Sequence, residues 1–426
     1  MHIKSVNIKN FKSFSKLDIH FNNLNLFVGA NASGKSNFIN IFEFLRNIAQ
    51  HGLDNAISIE GGVEYLQNLK LGASQDLAIS ITYKPNQPIF LHRLPGQKYI
   101  GSKTVQAEYS FRLKFHHRGN GFRIINDRLN FQYEFVSVTV SENKIEEKEV
   151  IGTGAGTLFV NNNQIVKSEV QIPDGMGITP DELLPSSFPR DAKLEKRMLL
   201  LETPFFDLAH RYRSPFENLA IYDFDSKLPK RATSISGLKE LEENGSNLAI
   251  VLKSIIENKE NKRKFLNLLN DLLSFVDDFK VQRLADKSIL FMMSEEYNKP
   301  GIYIPATSIS DGTINLIALI IAMYFEEKAP IIFEEPERNI HPNLISRLVN
   351  MFNDISGKKQ VIVTTHNPEI VRNANIDTLF LVARDSDGFS TISRPANNNA
   401  VQSFLENEIG IDELYVQDLL GITDAE

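Results

Sequence analysis

The chain has 426 residues, a formal net charge of -7 and no cysteine. The lack of cysteine excludes disulfides, thiolate zinc sites and cysteine nucleophiles, and the negative charge disfavours a protein that coats nucleic acid indiscriminately, although it leaves room for a local basic patch. The length and an apolar content of 42% suit a soluble protein of two or three domains.

The N-terminus alternates between apolar and polar residues from the start and contains no signal-peptide apolar core. The longest apolar run, residues 314–325, includes Asn315 and is shorter than the roughly 20 residues that a membrane span needs. We therefore expect a cytoplasmic protein that makes no membrane contact.

A phosphate-binding motif follows the third predicted strand, residues 24–28. It reads Gly29-x4-Gly34-Lys35-Ser36 and precedes a predicted helix over residues 36–50. Glycines allow consecutive backbone N–H groups to surround a phosphate, Lys35 would reach the β- and γ-phosphates, and Ser36 would hold Mg²⁺. A chance glycine-rich turn could have the same letters, but the flanking strand and helix favour a nucleoside triphosphate site.

The strands expected on either side of this motif indicate two layers. Residues 1–10 and 17–21 read as strands that should form a mixed sheet with the strand over residues 24–28. Strict alternation then predicts antiparallel strands with one buried face over residues 76–83, 104–116 and 121–139, and weaker strands over residues 144–151 and 156–171. The region 84–175 is therefore predicted to be a β-rich lobe.

The middle of the chain, residues 176–299, is predicted to be a mostly helical insertion. Helical patterns cover residues 179–208, residues up to about 257 after a cap at Ser246, and residues 263–275, where leucines repeat with a period of 3.6. The Lys-rich stretch 259–264 reads as a solvated loop between the last two helices. Strands are expected around residues 219–224, 281–284 and 288–293.

Two buried strands are predicted in the last third of the chain, and carboxylates follow one of them and a histidine the other. A strand over residues 330–333 runs into Glu334 and Glu335, and a strand over residues 361–364 runs to His366. Glu334 would hold Mg²⁺ through its water shell, and Glu335 would polarise the water that attacks a γ-phosphate. His366 would sense that phosphate, although a solvated turn or a plain polar histidine is the simpler alternative.

These motifs, together with Ser310-Asp311-Gly312 before the 314–325 helix, resemble the ATP-binding heads of RecF, SMC and ABC-type ATPases. The closest resemblance is to stand-alone bacterial AAA-family ATPases of anti-phage systems, of the abortive-infection, Septu-like and overcoming-lysogenization-defect kinds. The similarity covers residues 1–80 and 300–385. It implies an α/β fold: a P-loop head with a mixed sheet, an antiparallel β lobe and the inserted middle region. The head would comprise residues 1–83 and 300–426, the latter ending in a helix over residues 412–420.

The resemblance assigns a role to each matching residue. Glu334 stands where the family often has aspartate, residues 339–341 would be the D-loop, and Gln75 is a candidate for a Q-loop that the sequence does not locate. The nucleotide-binding residues would be Gly29, Asn31, Gly34, Lys35, Ser36, Asn37, Ser310, Asp311 and Gly312, the metal-binding residues Ser36 and Glu334, and the catalytic residues Glu335 and His366.

In such heads the signature motif, here Ser310-Asp311-Gly312, completes the site of a second head. The resemblance therefore implies ATP and Mg²⁺ as ligands and a head-to-head dimer or a higher even oligomer that ATP closes and hydrolysis loosens. The function expected is a switch or scaffold that controls a separate effector, such as a nuclease or toxin, in anti-phage defence. A RecF-like repair clamp with DNA as direct ligand is the alternative. A non-enzymatic module is disfavoured because Lys35, Glu335 and His366 are all present.

Overall fold

The computed structural model describes residues 1–86, 89–94, 98–116, 121–141, 144–161, 164–179, 183, 193–203, 215–397 and 411–416. Its strands are β1 (His2–Phe11), β2 (Phe14–His20), β3 (Leu24–Val28), β4 (Leu77–Lys84), β5 (Phe90–Leu94), β6 (Lys98–Phe115), β7 (Phe122–Ser141), β8 (Lys144–Asn161), β9 (Gln164–Gln171), β10 (Ala220–Tyr222), β11 (Thr233–Ser234), β12 (Val276–Arg283), β13 (Ser288–Glu295), β14 (Ile304–Pro305), β15 (Ile331–Glu334), β16 (Val361–Thr365), β17 (Leu379–Arg384) and β18 (Ser390–Ser393). Its α-helices are α1 (Lys35–His51), α2 (Leu53–Ile59), α3 (Val63–Leu66), α4 (Leu248–Glu257), α5 (Lys259–Asn270), α6 (Asp311–Tyr324), α7 (Ile345–Ser356), α8 (Pro368–Asn373) and α9 (Ile411–Val416).

A largely parallel sheet in the order β10-β15-β16-β3-β17-β18 forms the centre of the head. Every residue of β3 and β16 is buried, as expected for central strands of a parallel sheet covered on both faces. Because side chains alternate along a strand, Phe27 faces one apolar core while Leu26 and Val28 face the other. The parallel pairing of β3, β15 and β16 brings their carboxyl ends to one edge, where the predicted site residues lie.

Two helices pack against opposite faces of this sheet. On one face, the Phe38 ring of α1 packs against Phe27 with ring centroids 4.1 Å apart. On the other face lies α6, in which every residue from Thr313 to Met323 is buried. A helix that is apolar on all sides belongs in an interior, and α6 is therefore a rigid support for the motif at its N-terminus.

The second sheet is antiparallel, in the order β2-β1-β4-β6-β7-β8-β9, with β5 paired to β6. The predicted mixed sheet of β1, β2 and β3 is wrong, because β1 pairs with β2 and β4 whereas β3 pairs with β16 and β17. The alternating burial of β1 suits a sheet with one buried face, and the continuous burial of β3 suits the parallel sheet. The predicted boundary between head and lobe at residue 84 thus falls inside one continuous sheet. The weak strands expected over residues 144–171 are the long strand β8 and its partner β9.

The middle region combines helices with strands. The predicted helices near residues 248–257 and 263–275 are present as α4 and α5, which pack on a small sheet of β11, β12, β13 and β14. The Lys-rich stretch expected to be a loop is the first turn of α5, because the Asn258 side chain accepts hydrogen bonds from the backbone N–H groups of Glu260 and Asn261, both at 3.0 Å. Asn247, rather than Ser246, occupies the N-cap position of α4.

Two predicted helices lie partly outside the described residues. Within 179–208 the structure describes residues 179, 183 and 193–203, which contain the short 3₁₀ turn Leu200–Glu202. The predicted helix over residues 412–420 is described only as α9, where Leu414 is fully buried beside α8. Among the described residues, no helix has the length and apolar character needed to span a membrane.

Candidate functional site

The phosphate loop joins β3 to α1 in a compact turn. Lys35 is buried, and its Nζ atom donates hydrogen bonds to the carbonyl oxygens of Gly29 at 2.8 Å and Ala30 at 3.0 Å. Burial lowers the pKa of Lys35, while the carboxylates facing it from the end of β15 act in the opposite direction. A Cβ atom at Gly29 would lie 2.3 Å from the carbonyl oxygen of Val382, so this position requires glycine.

A support that sequence analysis missed lies beneath the loop. The Ser390 hydroxyl donates to the Ser33 carbonyl oxygen at 2.6 Å and lies 2.8 Å from the hydroxyl of Ser13. Gly34 has a φ angle of 118°, and a Cβ atom there would lie 2.1 Å from Ser390 Oγ. Only glycine fits the loop at this point. No local pattern could indicate it, because Ser13 and Ser390 are isolated residues far apart in sequence.

Ser36 and Glu334 meet directly at the carboxyl edge of the parallel sheet. The Ser36 hydroxyl donates to Glu334 Oε1 at 2.5 Å, so the glutamate arm, longer than that of aspartate, still reaches the serine. Burial raises the pKa of Glu334 above its usual value. A hydroxyl and a carboxylate oxygen are ligands that suit Mg²⁺, and a cation bound by both would offset the cost of burying the carboxylate. The donor set therefore fits the predicted metal.

Glu335 lies one residue further along, and its backbone has the left-handed φ angle of 45°. Its carboxylate accepts hydrogen bonds from His366 Nδ1 at 2.8 Å and from Arg338 Nε at 3.1 Å. Burial alone would raise the pKa of Glu335, but the bonds from His366 and Arg338 outweigh burial and lower it. The structure thus joins the two predicted catalytic residues and keeps the carboxylate ionised.

Two further acidic residues at this edge, Asp223 and Glu337, were given no role from the sequence. Asp223 follows β10, which is parallel to β15, and its carboxylate accepts a hydrogen bond from Arg338 at 2.6 Å. Glu337 is 5% exposed, and the Thr365 hydroxyl donates to it. Burial raises the pKa of Glu337. The signal for Asp223 was an acidic residue at the end of a predicted strand, but only the pairing with β15 places it here.

The signature motif lies at the N-terminus of α6. Ser310 is exposed and caps the helix, because its Oγ accepts a hydrogen bond from the backbone N–H of Thr313 at 3.2 Å. Asp311 forms an ion pair with Lys230, which holds the pKa of Asp311 below its usual value. The helix therefore begins at Asp311, earlier than the predicted 314, with its first N–H groups near the exposed Ser310.

Among the remaining predicted residues, Asn37 lines a cavity beside the phosphate loop, whereas Asn31 and Gln75 do not. Asn31 is exposed, and Arg384 Nε donates to the Ala32 carbonyl oxygen of the loop at 3.1 Å. Gln75 contributes its backbone carbonyl to a 2.7 Å hydrogen bond from Asn10, and its assignment to a Q-loop stays a prediction. The cavity has a volume of about 510 Å³ and is lined by Lys12, Ser13, Asn37, Tyr65, Gln67, Asn68, Leu69, Lys70, Arg384, Asp387, Gly388 and Phe389.

Two family models match the chain. Residues 1–165 match an "AAA ATPase domain", and residues 180–372 match "AAA domain, putative AbiEii toxin, Type IV TA system". The two matched segments between them contain every predicted site residue. Both matched models describe AAA-type domains, and the roles of the individual site residues stay predictions.

Curated relatives match shorter segments. An ATP/GTP phosphatase of Helicobacter pylori is 30% identical over 146 residues, which are 30% of this chain and 40% of the relative. The RecF DNA replication and repair protein of Lactobacillus acidophilus is 23% identical over 181 residues, covering 38% of this chain and 48% of the relative. The Septu protein PtuA of Bacillus thuringiensis is 28% identical over 89 residues, or 20% of this chain and 22% of that protein. The chain thus matches less than half the length of each.

Among solved structures, an SMC head bound to the C-terminal winged-helix domain of ScpA has the same fold, with a TM-score of 0.50 and 15% identity. The match covers 92% of this chain and 97% of that one. The predicted fold class is thereby confirmed. The chain therefore has the fold of an SMC head, and two AAA domain models match residues 1–165 and 180–372 of its sequence.

Proposed function

We propose that the chain is an ATP-driven dimeric switch that controls a separate effector, a nuclease or toxin, in bacterial anti-phage defence. The observation that carries the ATPase part is the convergence of Ser36 with Glu334 and of Glu335 with His366 at one edge of the sheet. The first contact joins residues 298 positions apart in sequence, and the second joins residues 31 positions apart. A scaffold with a degenerate site would not need to retain them.

Each site residue has a separate role in the proposed hydrolysis of ATP. The loop from Gly29 to Gly34 presents backbone N–H groups to the β- and γ-phosphates, and Lys35 neutralises their charge. Ser36 and Glu334 would hold Mg²⁺, which when bound supplies positive charge beside the phosphates. In this proposal Glu335 orients the attacking water, and His366 contacts the γ-phosphate. The cavity that Asn37 lines is of a size to take the nucleoside.

The position of the signature motif supports the proposed dimer. Ser310 is exposed at the N-terminus of a helix whose other side is fixed in the core. A helix N-terminus with free N–H groups favours an anion. In the proposed dimer it caps the γ-phosphate bound by the other copy, so two ATP molecules are held between two heads.

Support for the defence role comes from the similarity to PtuA and to the family model described as a toxin–antitoxin AAA domain. Such a role requires that the effector respond to the open or closed state of the heads. We expect the effector to contact the antiparallel lobe of β6 to β9 or the region of α4 and α5.

The test combines phage challenge with co-purification. Cells that carry the gene and its neighbours should resist phage, and the Glu335→Gln and Lys35→Ala variants should lose that resistance while remaining soluble. The tagged chain should co-purify with the product of a neighbouring nuclease or toxin gene. Equal phage sensitivity with and without the wild-type gene, and no such partner, would refute the defence role.

The similarity to RecF favours one alternative, a DNA-repair clamp with DNA as its direct ligand. Direct binding can be measured by titrating labelled duplex DNA with and without ATP. Binding that depends on ATP and falls steeply with salt would favour the clamp. Weak, ATP-independent binding would leave the effector-controlling switch as the better explanation.

A further inference from the structure

We propose that Arg338 is a positioning residue for ATP hydrolysis: it holds the Glu335 carboxylate against His366 and connects it to Asp223 and to the signature helix α6. This inference rests on the proposed ATPase role of Glu335. Arg338 is not among the predicted site residues. Its side chain lies beside them only because the fold brings β10 and β15 together.

The guanidinium group of Arg338 bridges two carboxylates from different strands. Its Nε atom donates to Glu335 Oε2 at 3.1 Å, and a terminal nitrogen donates to Asp223 Oδ1 at 2.6 Å. The other oxygen of Glu335 accepts from His366. Each carboxylate oxygen of Glu335 therefore has one fixed donor, which leaves this side chain little freedom to change rotamer.

Arginine suits this position because its planar group presents several donors at fixed angles, whereas the lysine ammonium is a single point charge on a flexible stem. The anchor at Asp223 is provided by β10, on the outer side of β15. Arg338 is thus anchored by Asp223 at the rim of the site, and it fixes the position of the Glu335 carboxylate inside the site.

The backbone of Arg338 is held by the signature helix. Asn315, which is 3% exposed, donates from its side-chain amide to the Arg338 carbonyl oxygen at 2.6 Å. A Cβ atom at Gly312 would lie 2.3 Å from the carbonyl oxygen of Asn339, whose φ angle is 63°. The start of α6 and the 338–339 backbone therefore pack without space between them.

This packing connects two half-sites within one chain. In the proposed dimer, Ser310 caps the nucleotide of the other copy, while Glu335 acts on the nucleotide of its own chain. A displacement of the α6 N-terminus would move the Arg338 backbone through Asn315, and the guanidinium would carry that movement to Glu335. The chain thereby has a direct contact path from the interface to its own hydrolytic carboxylate.

Stability does not explain the bridge. The side chains of Arg338 and Asp223 are 40% and 54% exposed, and ion pairs so exposed contribute on average no more than about 1 kcal/mol. We expect a variant without Arg338 to fold normally and bind ATP normally. Its defect should lie in the orientation of Glu335.

The experiment compares Arg338→Gln with Arg338→Lys and with the surface control Arg347→Gln, whose arginine contacts the Asp271 carbonyl. Misplacing a reacting group by about 1 Å can cost on the order of 100-fold in rate, so we expect kcat for Arg338→Gln to fall by roughly 10- to 100-fold. The dissociation constant for ATP, measured by calorimetry, and the melting temperature should stay unchanged. Arg338→Lys should recover part of the lost rate, and Arg347→Gln should match the wild type.

A double variant separates this inference from the proposed function. If Arg338 acts through Glu335, Arg338→Gln combined with Glu335→Gln should be no slower than Glu335→Gln alone. Wild-type kcat for Arg338→Gln, with Glu335→Gln inactive, would refute only the positioning role. Weaker ATP binding by Arg338→Gln would also refute it, because Arg338 would then contact the nucleotide. Wild-type turnover by Glu335→Gln would instead overturn the assignment of the hydrolytic residue itself.

Discussion

At the scale of single residues, each buried or half-buried charge of the site has a hydrogen-bond partner. Lys35 lies against carbonyl oxygens of its own loop, Glu334 against Ser36, and Glu335 between His366 and Arg338. Buried charges without such partners are costly, so each contact constrains the position of the next residue. Substitutions here should change ligand binding or turnover before they change the fold.

Lys35→Ala tests the phosphate loop. It removes the cation that the motif places beside the triphosphate, and charge-assisted contacts of this kind are among the strongest available to a protein. We expect ATP binding to be lost in isothermal titration calorimetry, with the far-ultraviolet circular dichroism spectrum unchanged. Lys299→Ala, at an exposed lysine, is the control. Unchanged ATP affinity in Lys35→Ala would show that the triphosphate binds elsewhere.

Glu335→Gln separates binding from hydrolysis. The amide keeps the size of the side chain but cannot accept a proton or polarise water as a carboxylate does, and losing such a group typically costs about 100- to 10,000-fold in rate. We expect ATP affinity to be retained and phosphate release to fall within that range. If turnover stays at the wild-type level, the hydrolytic role belongs to another residue, with Glu334 the first to substitute.

At the scale of elements, the antiparallel lobe is joined to the segment 193–203 by a buried acid. Asp127 of β7 is 1% exposed and accepts a hydrogen bond from the backbone N–H of Leu200 at 2.6 Å. Its environment also includes Tyr109 of β6 and Glu202. Burial raises the pKa of Asp127 to about 7, although the bonds from Leu200 and Tyr109 act in the opposite direction. The packing of this segment on the lobe should therefore depend on pH.

The sign of that dependence follows from proton binding. Since the pKa of Asp127 is higher in the folded chain, the folded state binds the proton more tightly, and this stabilisation is lost as pH rises from about 4 through about 7. From this group alone, the free energy of unfolding should be roughly 2 to 3 kcal/mol smaller at pH 8 than at pH 5. In Asp127→Asn, which keeps the acceptor for Leu200, that difference should shrink and the melting temperature at pH 8 should rise. A variant with the same pH dependence as the wild type would refute the assignment.

At the scale of the whole molecule, the proposed dimer requires half of a nucleotide site at each of two places, the phosphate loop and the signature motif. The motif is fixed to the core by α6 and to the 338–339 backbone by Gly312 and Asn315. It presents Ser310 outward. A second head is the partner that the proposed function requires at this surface.

Ser310→Arg tests that arrangement. The arginine would occupy the place of the other copy's γ-phosphate but would leave the chain's own phosphate loop untouched. We expect each monomer to bind ATP, ATP no longer to increase the molar mass measured by light scattering, and turnover to fall by at least about 100-fold. Full activity of Ser310→Arg would exclude the head-to-head dimer.

Mixing variants tests composite sites further. In a mixed dimer of Ser310→Arg with Lys35→Ala, the intact phosphate loop of the first chain faces the intact signature motif of the second. Partial recovery of turnover, from two preparations that are each inactive, is the result expected of sites shared between chains. An activity equal to the sum of the separate preparations at all mixing ratios would not distinguish unshared sites from shared sites that act only together.

The elements and the motifs could be predicted from the sequence by itself. The phosphate loop, the carboxylates after β15, His366 after β16 and the signature before α6 are each encoded within a few consecutive residues, because a strand or helix boundary places a short motif in a defined local geometry. The alternating strands β4, β6 and β7 were predicted for the same reason, and the pairing of those strands agrees.

Only the tertiary structure decided which distant residues meet. The pairing of β1 with β4 rather than with β3, the bridge from Arg338 to Asp223 and the support of Gly34 by Ser390 depend on sheet order and on complementary shape between segments far apart in sequence. Periodicity specifies which face of an element is buried, but it does not specify against which other element. The residues that position Glu335 therefore became recognisable only when the chain was folded.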